Sequence, residues 1–169
     1  MKLRYIAAVF AAAALSGQAT NAVAADAGKP PKAVVYDVAC RFALTPPLYA
    51  QVDRARQAHD SAARAKILDD AFQSFFLIIA FNSKAMSDGA SMATIEDLVR
   101  AYKKAHLEPS PKDLQQCKVD GLAFLMSVKP DIYVKIRDLS ENKFTGMVKE
   151  QGLSVPDGFF DDYREQPKR

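Results

Sequence analysis

Cys40 and Cys117 are the only cysteines in the chain, and any thiol or disulfide chemistry must be read from them. Two cysteines this far apart in a chain that opens on an export signal predict one disulfide, joining the first helix to the helix that follows Pro111. The alternative is two buried free thiols, because both positions adjoin an apolar helix face. No Cys-x-x-Cys is present, so a redox enzyme is not indicated, and the absence of Cys-x-x-Cys-His rules out covalent haem attachment.

The remaining reactive residues do not assemble into a catalytic pattern. His59 and His106 are isolated, with no second ligand one helical turn away and no His-Glu-x-x-His frame, and each reads as a surface residue. Asp69-Asp70 and Asp161-Asp162 are adjacent pairs, and helix neighbours point in different directions, so neither spacing makes an acid/base dyad. Ser140 and Lys143 reproduce the Ser-x-x-Lys spacing of serine β-lactamases, but the companion Ser-Asp-Asn and Lys-Thr-Gly elements are missing. Ser140 therefore reads as a helix cap. No catalytic residue, metal ligand or cofactor motif is predicted.

The elements that would position any site are helical. Ala71–Phe81 is the most apolar stretch after the export signal, with seven consecutive apolar residues from Phe75, far short of the roughly 20 needed to cross a membrane. Ser61–Asp70 before it is rich in helix formers, and no Gly or Pro occurs until Gly89, so one helix is predicted over roughly 61–86. Its apolar positions cover one face at first and nearly the whole circumference by the end. Such a helix has to be surrounded. The expected fold is an all-α bundle of about five to six helices around it, stapled by one disulfide.

The surrounding elements follow from local signals. Val34, Val35, Val38, Ala39 and Phe42 mark a short first helix that Thr45-Pro46-Pro47 should end, with helical pattern resuming from Leu48 to His59. Ser87–Ser91 reads as a loop, Thr94 as the cap of a helix closed by Pro109, and Ser110-Pro111 as the start of the next. That helix should bury Leu114, Cys117, Gly121, Leu122, Leu125 and Val128. Pro130 should open another with Ile132, Tyr133 and Ile136 inward, and Ser140 a further one reaching Gly152. Residues 153–169 read as an irregular tail whose Phe159, Phe160 and Tyr163 either pack back on the bundle or form an exposed contact patch.

Met1–Ala24 carries Lys2 and Arg4, an apolar run over Ile6–Leu15, and small residues at Ala22 and Ala24. It reads as a bacterial Sec-type signal peptide, too short to span, and Gln18 stands where a lipoprotein cysteine would be required. Residues 25–32 read as a flexible leader and 33–169 as a single helical domain. Taking the two basic side chains of the signal from 23 leaves 21 Lys+Arg against 20 Asp+Glu, a formal charge of +1. A balance so close to neutral argues against nucleic acid and against electrostatic membrane binding, and no stable membrane insertion is expected once the signal is gone.

The expected protein is thus periplasmic or secreted, and non-enzymatic. The leading expectation is a protein-binding module, such as an inhibitor or an immunity protein against an envelope-targeted toxin or hydrolase, whose partner is another envelope protein. Its contact residues would be Asp88, in the loop around residues 82–93, and Phe159, Phe160 and Tyr163. The alternative is a carrier of a small apolar ligand or lipid, with Phe72–Phe81, Met86, Met92 and Met126 lining a cavity.

Overall fold

The computed structural model describes residues 30–167, and the expected signal peptide lies outside them. Five α-helices follow in order: α1 Lys32–Gln57, α2 Ser61–Ser87, α3 Met92–Lys104, α4 Pro111–Ser127 and α5 Pro130–Glu150, then a short 3₁₀ turn at Asp161–Tyr163. No strand occurs among the described residues. The architecture is the all-α bundle expected, with α2 at its centre against α1, α4 and α5.

Local chemistry sets most of the helix starts. Asp60 caps α2 by accepting the Ala63 N–H at 2.6 Å. At α4 the Ser110 hydroxyl accepts the Asp113 N–H while the Asp113 carboxylate accepts the Ser110 N–H, a reciprocal capping box followed by Pro111 at the first helical position. Helix α3 starts earlier than the sequence pattern indicates. Its cap is Ser91, whose hydroxyl accepts the Thr94 N–H at 3.1 Å, so Thr94 lies inside the first turn. Glu96 is thereby placed to take the Arg41 guanidinium of α1 at 2.7 Å.

Two predicted breaks are absent. Helix α1 runs through Pro46 and Pro47, although these prolines deprive the Phe42 and Ala43 carbonyls of their helical donors. Packing outweighs the loss: Cys40, Ala43 and Leu44 before the prolines and Leu48, Val52 and Ala55 after them are all buried, and all but Ala43 belong to the main core around α2. Helix α5 likewise continues through Ser140, which is buried and donates its hydroxyl to the Ile136 carbonyl at 2.7 Å, one turn back rather than forward as a cap would. Leu122 and Ile132, expected inside, are exposed at 48% and 36%.

The core has two parts. In the larger, every residue from Phe76 to Phe81 is buried, and α4 approaches so closely that a Cβ on Gly121 would stand 2.8 Å from Leu77 and 3.1 Å from Phe81. The smaller joins Val34 and Val38 of α1 to Ala85 of α2 and Ile95, Leu98 and Tyr102 of α3. Beside it lies the buried Asp37. Burial pushes its carboxyl up, and the Lys84 ammonium at 2.9 Å draws it part of the way back.

The tail packs on the bundle. Phe160 and Tyr163 meet Phe72 edge-on at 4.8 and 4.6 Å, and Phe159 stacks parallel to Phe144. Hydrogen bonds fix it there: Tyr163 Oη donates to Asp69 at 2.6 Å, Tyr133 Oη to the Tyr163 and Glu165 carbonyls, and Gln166 Nε2 to the Leu125 and Val128 carbonyls.

Candidate functional site

Helices α2, α3 and α5 all stop on the same device, a residue with positive φ whose own N–H and that of the next residue reach back to carbonyls of the last turn. Gly89 and Gly152 fill that position after α2 and α5, at φ 93° and 73°. After α3 it is His106, at φ 49° the one non-glycine residue with positive φ among those described. The His106 N–H bonds the Lys103 carbonyl and the Leu107 N–H bonds the Tyr102 carbonyl. The helix thus ends at Lys104, before Pro109. This termination turns Leu107, Glu108 and Pro109 across a gap between α1, α3 and α4.

The gap is an open cleft of about 240 Å³. The Cys40–Cys117 bridge forms part of its wall, with sulfurs 2.06 Å apart and Cα atoms 5.3 Å apart, and ties α1 to α4. Tyr36 and Phe42 of α1 and Tyr102 of α3 contribute aromatic wall, and Ala39 and Ala43 leave the space between. Glu108, Ser110, Asp113 and Gln116 supply its polar groups. The lining is mostly apolar with a few polar residues, the usual composition of a small-molecule site, at a volume suited to a ligand of one ring or a short chain. A dry cavity of about 150 Å³ is enough to hold benzene.

Hydrogen bonding orders this wall. Tyr36 Oη donates to the Asp120 carboxylate, which also accepts Gln116 Nε2 at 2.9 Å. Burial first, then the Asp120 bond and charge, hold the Tyr36 phenol far above its ordinary acidity range. Tyr102 donates to the Val35 carbonyl at 3.1 Å, and burial pushes its phenol up to about 12.

A second cavity of about 250 Å³ lies beneath the tail, lined by Phe76, Leu77, Leu125, Tyr133 and Tyr163 with Asp70 and Lys118 among its polar groups. The Phe-rich segment reaches it through Phe76 and Leu77. Phe72 and Phe81 are solid core, and Met86 and Met92 are exposed at 49% and 45%. Of the lining expected from Phe72–Phe81 and the methionines, Phe76 and Leu77 border this cavity and none borders the cleft at the disulfide.

The other singled-out residues stay apart. Asp88 is exposed, 3.6 Å from Lys84 at the end of α2, on a different part of the surface from the packed rings of Phe159, Phe160 and Tyr163. His59 and His106 are exposed, and Asp161 pairs with Arg164 at 2.9 Å. Ser140 is buried while Lys143 is exposed. Among the described residues no group of three or more His, Cys, Asp or Glu is placed to hold a metal ion.

The cleft residues Tyr36, Phe42, Tyr102 and Asp113 were not singled out from the sequence as a site. A signal was present, since Tyr36, Ala39, Cys40 and Ala43 share one helical stripe on which small residues follow an aromatic. The chain is a disulfide-stapled helical bundle with an apolar, small-molecule-sized opening at its staple. No protein family model, curated protein or solved structure matches the chain, and the reading of the cleft rests on its own chemistry.

Proposed function

We propose that the protein is an exported, non-enzymatic carrier of a small, largely apolar molecule, held in the cleft beside the disulfide. The observation that carries this reading is the cleft itself: an open, apolar, aromatic-walled space of about 240 Å³ whose wall is cross-linked and so partly ordered before any ligand arrives. The disulfide suits an oxidising compartment, in keeping with the export signal expected over residues 1–24. The inhibitor or immunity reading keeps the exposed Asp88, but the aromatic rings it relied on are turned toward Phe72 and Phe144.

The test is native mass spectrometry of the mature chain, purified gently from the periplasm of its own host, against the same sample denatured. A small-molecule mass excess is expected, lost on denaturation and absent from an Ala39→Leu variant that fills the cleft yet retains its circular dichroism spectrum. A wild-type chain free of any such excess, with a second protein co-purifying at fixed stoichiometry, would displace the carrier in favour of the inhibitor.

A further inference from the structure

Two kinds of group line the cleft, and their combination is selective. Tyr36, Phe42 and Tyr102 present aromatic rings, whose faces carry negative partial charge and attract cations. Glu108, which is exposed, and Asp113 are the ionisable carboxylate residues of the lining, and among the described residues no lysine, arginine or histidine lines the space. Of the cations on α1 and α2 nearby, Arg41 Nη2 pairs with Glu96 at 2.7 Å and Lys84 with the buried Asp37 at 2.9 Å. The Asp113 carboxylate is held in place by the capping box, with both Ser110 bonds falling on Oδ2.

A third carboxylate stands behind the aromatic wall, since Asp120 accepts the Tyr36 phenol and Gln116 Nε2. The Tyr36 phenol registers the resulting field, for after burial its acidity is suppressed by Asp120, with Asp37 and Asp113 adding to the effect. A field that opposes a phenolate opposes any anion in the same place and favours a positive charge.

Resting on the carrier reading above, we infer that the cleft selects a small organic cation, an ammonium group borne on an apolar or aromatic body. The body fills the space left by Ala39 and Ala43 beside the disulfide, and the ammonium meets the aromatic faces and the Glu108 and Asp113 carboxylates. Lipids and neutral hydrocarbons would satisfy the walls and leave the carboxylates unused.

Benzylamine, benzyl alcohol and benzoate test this, being nearly equal in size but cationic, neutral and anionic at pH 7. Titrated calorimetrically against the mature, oxidised protein, benzylamine is expected to bind about tenfold tighter than benzyl alcohol, with benzoate weakest, as one desolvated cation–π and carboxylate contact implies. Glu108→Gln and Asp113→Asn together should shrink that advantage to roughly threefold or less, and Asn at 113 still accepts the Ser110 N–H so that α4 stays capped. Equal affinity for benzylamine and benzyl alcohol, or preference for benzoate, would overturn the cation inference and leave the carrier standing. Failure of all three to bind the wild type, with no mass excess on the native protein, would overturn both.

Discussion

The phenols of Tyr36, Tyr102, Tyr133 and Tyr163 are all held above the ordinary tyrosine range, with burial the largest cause in each. Tyr163 and Tyr36 add a bond to a carboxylate, Asp69 in one case and Asp120 in the other, which a phenolate would have to surrender. In the unfolded chain these groups ionise near pH 10. Above that pH the unfolded chain loses protons that the folded one keeps, so stability must fall as pH rises. Their contribution is complete below about pH 10, and for Tyr102 it is lost as pH climbs through about 12. Each tyrosine protected in this way steepens the loss by about 1.4 kcal/mol per pH unit. Urea unfolding at pH 8, 10 and 11 should show a midpoint dropping sharply over the upper interval, with phenolate absorbance at 295 nm appearing mainly on unfolding. At pH 11, phenolate absorbance in the still-folded protein equal to that of the unfolded chain would contradict this burial of the tyrosines.

At the scale of the helix, Pro46 shows how tertiary packing overrides a local signal. An interior proline costs about 3 kcal/mol relative to alanine, because it lacks a donor and crowds the carbonyl four residues back. Pro46 is exposed, so its replacement disturbs no core contact. Pro46→Ala should restore the bond to the Phe42 carbonyl and stabilise the protein by roughly 2 kcal/mol, after allowing about 0.4–1 kcal/mol for the freer unfolded chain. A urea midpoint unchanged or lowered by the substitution would mean that α1 is not continuous there.

The same contrast explains what was legible in the sequence. Ser110 and the helix formers from Ser61 onward act through neighbours in the chain, and α2 and α4 start where those residues indicate. Pro46 and Ser140 carry equally clear local signals, yet each is overruled by tertiary packing, the α1 face on α2 and the burial of Ser140 on a continuous α5, while Thr94 loses to a competing local cap at Ser91. The cleft was the least legible feature. It is made from two aromatics and two alanines of α1, Tyr102 of α3, the turn at His106 and the start of α4, and an empty space has no residue of its own.

On the scale of the whole molecule, the disulfide links stability, compartment and site. Cys40 and Cys117 are 77 residues apart, so the bridge closes most of α1, all of α2 and α3 and half of α4 into one loop. In the chain-entropy model a loop of that length stabilises the folded state by about 4 to 5 kcal/mol. Whole domains are stable by about 5–15 kcal/mol, so the reduced chain should be marginal. Such a bridge forms and persists in an oxidising compartment. Reduction also cuts the wall of the cleft, since the two sulfurs join α1 to α4 beside Tyr36 and Phe42. Urea unfolding with and without reductant should therefore show a loss near 4 kcal/mol, and benzylamine binding should weaken under reduction even at urea-free, folded conditions. A loss below about 1 kcal/mol would assign the stability to packing around α2 alone. Binding unaffected by reduction would mean that the helices hold the cleft open without their staple.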